Sequence, residues 1–177
     1  MTKIGIVVTV FNKERFIGKC LKSILHQTLN EIEVIVVDDG STDASGKICD
    51  MIAARDSRMT VIHQSNQGIS KARLNGVKRI SSDYVTFVDG DDWIDERAYE
   101  RIVNLDLFGQ VDLIACGIIR YYADCEMNNE INIFDGGIYE SQDFENKIIP
   151  NLFWDTEKNV YGLDPSLCTK VFQKKRL

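Results

Sequence analysis

The chain has little proline, little histidine and no excess of positive charge. Its 177 residues include two prolines, Pro150 and Pro165, and two histidines, His26 and His63. Histidines so few and so separated argue against a zinc centre or a Ser/His/Asp triad. The five cysteines, Cys20, Cys49, Cys116, Cys125 and Cys168, are odd in number, widely spaced and without a CxxC pair. They read as free thiols of a reducing compartment rather than a disulfide framework. A formal net charge of -6 offers no basic footprint for nucleic acid. No apolar run approaches the ~20 residues that span a bilayer. The run from Ile4 to Phe11 is also too short for a signal-peptide core with its cleavage region. No GxGxxG follows that run, which argues against a dinucleotide dehydrogenase. A glycine-rich phosphate loop of the nucleotidyltransferase kind is absent as well.

What is present is an alternation of strands and helices. Ile4–Val10 is near-continuously apolar, as in a strand covered on both faces. Phe16, Ile17, Cys20, Leu21, Ile24 and Leu25 recur at helical spacing and predict a helix from about Glu14 to Gln27. Glu33–Val37 is a second strand, and Ser41 or Thr42 is placed to cap a helix through Ile48, Met51 and Ile52. Thr60–His63 is a third strand. Ile69, Ala72, Gly76, Val77 and Ile80 mark another helix face. Tyr84–Val88 is the fourth strand, and Asp95 can cap a helix carrying Ala98, Tyr99, Ile102 and Val103. The order predicts an α/β sandwich around a mostly parallel sheet. After about residue 110 the pattern changes. Val111–Tyr122 holds one or two strands, Cys125–Gly137 is polar with a Gly136-Gly137 turn, Ser141–Phe153 reads as helix and Trp154–Asp164 as loop. The change of pattern divides the chain into 1–110 and 111–177.

The chemistry concentrates where strands end. Asp89-Gly90-Asp91-Asp92 follows the fourth strand and Asp38-Asp39 the second. Carboxylates crowded together repel unless a cation neutralises them, and a hard divalent ion shared with substrate phosphates is one such cation. In parallel α/β sheets ligands bind beyond the carboxyl ends of the strands, so Phe11-Asn12, Asp38 to Ser41, Ser65 to Gly68 and Asp89 to Asp92 are expected on one edge. Asp39 suits the imide N–H of uracil, Phe11 can stack on the base, and Arg73 can pair with a phosphate or an aspartate. Other uses stay open. Asp38 to Asp43 also suits a turn and helix cap; Asn12 and Asn66 also suit helix caps, and Glu14 a first-turn charge. Trp93 serves equally as an acceptor platform or as packing. Asp38-Asp39 also resembles the acidic pair of phospho-acceptor signalling domains, but there the pair follows the first strand.

Taken together, Val7 to Asn12, Ser23 to Thr28, Glu33 to Asp43, Asn66 to Arg73 and Tyr84 to Asp92 resemble, in order and spacing, a family-2 glycosyltransferase of the bacterial surface-polysaccharide type. That resemblance implies the GT-A fold, a nucleotide-diphospho-sugar transferase, Rossmann-like three-layer sandwich. It implies a nucleotide-sugar donor, usually a UDP-sugar, and transfer to a glycan or lipid-linked acceptor with inversion. Mapped by position, Thr9 and Phe11 line the base pocket, Asp39 binds the base, and Arg73, Asp89 and Gly90 help hold the donor. Asp91, with Asp89, is the ligand of Mn²⁺ or Mg²⁺. Asp92 and Trp93 face the acceptor.

Thr9 stands where the family often has proline, and Leu74 where it often has asparagine after the arginine. The family's general base usually lies in an acidic pair such as Glu-Asp, and none occurs here. The expectation is therefore a base beyond Leu177, in a longer protein acting in the cytoplasm or at the inner membrane face through that later region. The alternative is a non-catalytic nucleotide-sugar-binding or scaffold protein of the same fold.

Overall fold

The computed structural model describes residues 4–116, 118–122, 125–129, 137, 138, 140, 142 and 167–177. Three βα units open the chain: β1 (Ile4–Val10), α1 (Ile17–Leu25), β2 (Ile32–Asp38), α2 (Ser45–Ala53), β3 (Met59–His63) and α3 (Ile69–Arg79). β4 (Tyr84–Asp89), α4 (Ala98–Asn104), β5 (Leu113–Ala115), β6 (Ile118–Tyr122), β7 (Cys125–Asn129) and β8 (Lys170–Gln173) follow. Six strands form one sheet in the order β3-β2-β1-β4-β8-β5; β6 and β7 form a separate antiparallel ribbon. The first four neighbours are parallel, and β8 runs antiparallel to β4.

The apolar runs become strands because both faces of the sheet are covered. All seven residues of β1 are buried. On one face α3 approaches closely: a Cβ on Gly76 would lie 2.3 Å from Val7 Cγ1, and one on Gly5 would lie 2.4 Å from Ile80 Cγ2. On the other face Ile17 of α1 reaches the Val10–Gly90 corner, and α1 packs against α2. Val7 and Val10 point to opposite sides of the strand, so the sheet lies between two helical layers. The expected α/β sandwich around a mostly parallel sheet is the fold observed.

The chain divides into two compact units, Met1–Ile114 with Lys170–Leu177, and Ala115–Thr169. In the first, β8 returns as a strand beside β4, where Thr86 Oγ1 donates to the Lys170 carbonyl at 2.8 Å. β7 was not expected as a strand: its Cys-Glu-Met-Asn-Asn composition is polar, and it is made by pairing with β6. All but residue 142 of the helix expected over Ser141–Phe153, the loop over Trp154–Asp164 and the Gly136 half of the expected turn lie outside the described residues.

Local chemistry shifts several boundaries. α1 begins at Ile17, because the Lys13 and Glu14 N–H groups go to Ser45 Oγ and Asp43 Oδ2 instead of opening the helix. Ser41 and Thr42 do not cap α2. Ser41 Oγ accepts from the Asn12 N–H at 3.0 Å, Thr42 donates to Asn12 Oδ1, and α2 starts at Ser45 with the Ser45 N–H bound to Asp43 Oδ1. Met51 and Ile69, read as apolar-face residues, are exposed. Among the described residues Cys20, Cys49, Cys116 and Cys168 form no disulfide with one another, and no helix is long and apolar enough to cross a membrane.

Candidate functional site

Register brings the acidic strand ends together. Thr9 of β1 pairs with Asp89 of β4, and Val10 pairs with Asp38 of β2. The strand order reverses at β1: β2 and β3 extend one way and β4 the other. Such a reversal opens a crevice at the carboxyl edge, where α/β sheets bind ligands. Thr9, Asp38, Asp39 and Asp89 all stand there.

Asp89 is held from two sides. Its Oδ1 accepts from Thr9 Oγ1 at 3.0 Å, and Arg73 Nη2 reaches Oδ1 at 2.8 Å and Oδ2 at 3.1 Å. Arg73 is no solvated helix residue. Its side chain is 19% exposed, its guanidinium lies 5.9 Å from the Phe87 ring centroid, and its Nε is buried without a hydrogen-bond partner among the described residues. Gly90 is buried, with its N–H on the Thr9 carbonyl at 3.0 Å, and a Cβ there would sit 3.1 Å from that oxygen. Asp91, two residues on, does not join Asp89; its Oδ2 takes the Lys13 ammonium at 2.5 Å. The repulsion read in the sequence is thus relieved by the chain's own Arg73 and Lys13. Arg73 was anticipated. Lys13 was not, because nothing local links position 13 to position 91.

The loop after β4 is fastened to α1. Buried Gln27 donates from Nε2 to the Asp95 carbonyl at 2.7 Å and accepts the Tyr99 N–H at 3.2 Å, and Ser23 Oγ accepts the Ile94 N–H at 3.1 Å. This gives Ser23 to Thr28 a physical role: the segment fixes the acidic loop. Asp92 and Trp93 are both exposed on that loop, and the Lys19 ammonium lies 3.2 Å from the Trp93 ring centroid, a cation–π contact.

Asp39 is 4% exposed and organises the loop after β3. Oδ1 accepts from Gln64 Nε2 at 2.7 Å and the Gln67 N–H at 2.8 Å; Oδ2 accepts from the Gly68 N–H at 2.8 Å. A carboxylate oxygen can take two hydrogen bonds, so Oδ2 keeps capacity for one more donor. Gly40 follows at φ +77°, and a Cβ there would sit 2.8 Å from the Asn66 nitrogen, so the backbone of the two loops meets where only glycine fits. Phe11, at the end of β1, is 45% exposed and available to a flat ligand. Neither asparagine caps a helix: Asn12 binds Thr42, and α3 starts from Gly68 without a side-chain cap. Glu14 lies before α1 and accepts the Ala44 N–H at 3.0 Å.

A neighbouring network escaped sequence reading. Asp38, 5% exposed, accepts from the Ser41 N–H at 3.0 Å and meets His63 Nδ1 at 2.9 Å, while His63 Nε2 meets Asp50 Oδ1 at 3.1 Å. The hydrogen bond to Asp38, then that to Asp50, raises the His63 pKa. Beside them burial, then the Asp38 and Asp50 charges, pushes the Cys49 thiol up to about 12, so it stays protonated. A cavity of about 310 Å³ lies elsewhere, lined by Ile62, Gln64, Gln67, Asn75, Lys78 and Arg79, and shares only Gln64 and Gln67 with the Asp39 shell.

Asp89 and Asp92 bring carboxylate oxygens within 4.8 Å of one another, hard donors of the kind a divalent cation takes, while Asp91, 40% exposed, stands outside that pair on Lys13. The fit requires Lys13 to yield Asp91.

Residues 5–160 match the family described as Glycosyl transferase family 2. The chain is 41% identical over 121 residues to the uncharacterized glycosyltransferase EpsJ of Bacillus subtilis, covering 68% of this chain and 35% of that protein. It is 39% identical over 161 residues to the glycosyltransferase GlyA of Streptococcus pneumoniae, covering 91% of this chain and 23% of that one. It therefore spans about a third and a quarter of these relatives. Among solved structures, S. aureus TarS 1-349 in complex with UDP-GlcNAc superposes with a TM-score of 0.71 at 22% identity, over 97% of this chain and 45% of that one. The mannosyltransferase PcManGT from Pyrobaculum calidifontis, in complex with GDP-Man and Mn²⁺, gives 0.62 at 18% identity, over 98% and 45%. At such identities the two structures speak to the fold.

Proposed function

From the premise that this chain belongs to glycosyl transferase family 2, we propose that it is the donor-binding part of an inverting glycosyltransferase that uses a UDP-sugar. The observation that carries the reading is the gathering of Thr9, Asp39, Arg73 and Asp89 at the strand-order reversal, with Phe11 exposed beside them. Asp39 Oδ2 accepts the imide N–H of the base, in a loop already held by the same carboxylate. Phe11 stacks on the base and Thr9 lines its pocket. Arg73, held by Asp89 and the Phe87 face, supplies positive charge for phosphate. Gly90 lets backbone come close to the donor beside Thr9.

Asp91 and Asp89 are the residues we assign to Mn²⁺ or Mg²⁺, an ion that when bound neutralises the diphosphate of the leaving nucleotide. Asp92 and Trp93, exposed on the same loop, stand on the side given to a glycan or lipid-linked acceptor. The acceptor hydroxyl displaces the nucleotide from the far face of the sugar, which inverts the anomeric carbon and calls for a general base. The lack of a disulfide among the described cysteines suits a reducing cytoplasm, including the inner membrane face.

The test is calorimetry of the chain with UDP, with and without Mn²⁺. UDP binding that strengthens with Mn²⁺ and is lost in Asp39→Asn is expected. No UDP binding under either condition sinks the reading.

A further inference from the structure

We propose that Lys13 is a resident counter-ion that exchanges partners: its ammonium holds Asp91 while the site has no donor, and turns to the donor's diphosphate when one enters. The inference rests on the donor-site reading above and adds a residue to it.

Lys13 is not a loose surface lysine. Its backbone N–H is bound at 2.7 Å to the hydroxyl of Ser45, a residue with 0% exposure. The residues on either side are fastened too: Asn12 donates to Ser41 Oγ and accepts from Thr42, and Glu14 donates to Asp43 while accepting from Ala44. The loop after β1 is thereby stapled to the loop before α2, and the side chain of Lys13 is launched from a fixed point across to the loop after β4. There it meets Asp91 Oδ2 at 2.5 Å, with both side chains partly exposed at 37% and 40%.

Partial exposure and one contact make a pair that can be exchanged at small cost, since such pairs contribute only about 0.2–1 kcal/mol. Asp89 is different. It has Thr9 and Arg73, and it keeps them while Asp91 changes company. The protein carries a net charge of -6, so a dianionic diphosphate arriving here needs local positive charge. Arg73 and Lys13 are cations already at the acidic strand end. A divalent ion on Asp91 and the Lys13 ammonium compete for one carboxylate. The released ammonium stands beside incoming phosphate oxygens and gains a charge-assisted hydrogen bond there.

The experiment compares wild type, Lys13→Met and Lys13→Arg. Mn²⁺ binding without nucleotide is followed by the electron paramagnetic resonance of free Mn²⁺, and UDP binding in saturating Mn²⁺ by calorimetry. In Lys13→Met, Mn²⁺ affinity without nucleotide rises about two- to fivefold, the worth of removing an exposed competing charge. UDP affinity in Mn²⁺ falls about tenfold, the worth of a charged hydrogen bond. Lys13→Arg stays near wild type in both, and unchanged thermal midpoints show that the variants fold. If wild type binds UDP with Mn²⁺ but Lys13→Met moves neither quantity, the exchange is refuted and the donor site stands. If wild type binds no UDP, the donor reading itself has failed. A fall of both affinities in Lys13→Met also overturns the exchange, because it makes Lys13 a structural support of Asp91.

Discussion

A neutral imidazole carries one N–H, and His63 faces two carboxylates, Asp38 at 2.9 Å and Asp50 at 3.1 Å. Only the imidazolium can donate to both; the neutral ring points a lone pair at one of them. That is why its pKa is raised from the ordinary value, first by Asp38 and then by Asp50. A raised folded-state pKa means stability that is fully present below the unfolded value of about 6.5 and is lost as pH climbs through the folded value. The two halves of the pair differ in weight. Asp50 is 57% exposed and the His63 side chain 49%, so their contact is screened and sits in the range of about 0.2–1 kcal/mol. The Asp38 side chain is 7% exposed, and without His63 its carboxylate keeps the Ser41 N–H among the described residues; that half lies nearer the roughly 1.5 kcal/mol of a weak charged hydrogen bond. The expected loss in His63→Gln is therefore about 1–2 kcal/mol near pH 6, shrinking as pH rises toward 9. Urea midpoints of wild type and variant across pH 5.5–9 measure it, a range above ordinary carboxylate titration. Because the chain has two histidines, proton NMR can follow both rings and the variant identifies His63. A His63 ring that titrates at or below 6.5 in the folded chain, or a stability difference that grows with pH, would refute the argument.

Asp39→Asn replaces one acceptor oxygen with an NH₂ group facing N–H donors; unfolding should be easier by about 1–3 kcal/mol, and calorimetry should show UDP binding weakened at least tenfold, an outcome contradicted by wild-type affinity. Arg73→Met leaves Asp89 with Thr9 alone. Since Asp89 is 31% exposed, we expect only about 1–2 kcal/mol from denaturant unfolding, together with a clear loss of UDP affinity. Gly76→Ala pushes a methyl to 2.3 Å from Val7 Cγ1 on a stiff β-branched side chain; thermal or urea unfolding should register about 1–3 kcal/mol of overpacking, with UDP affinity retained in the folded fraction.

The parallel core was legible because strands buried on both faces leave unbroken apolar runs, as in Ile4–Val10 and Tyr84–Val88. Strand ends could be read because carboxylates there break the apolar pattern abruptly, which is also why Asp39, Asp89 and Asp91 stood out. What could not be read is where polar side chains go when several partners are in reach. Ser41 and Thr42 have the chemistry of helix caps, yet they serve Asn12, thirty or so positions back in the chain. Lys13 meets Asp91 across 78 positions and His63 meets Asp38 across 25, distances at which local spacing carries no signal. The metal inference shows the same limit. Like-charge crowding pointed to a divalent ion; that Arg73 reaches Asp89 and Lys13 reaches Asp91 depends on how the loop after β1, helix α3 and the loop after β4 are brought to one edge.

The reciprocal bonds between Asn12–Glu14 and Ser41–Ser45 have a practical corollary for anyone building chimaeras. These two stretches behave as halves of a single clasp, each supplying what the other lacks. Transplanting either one from a relative without its mate strands backbone amides on both sides, whereas moving them as a matched set preserves the fit. Specificity engineering at this rim has to treat them as one inherited unit.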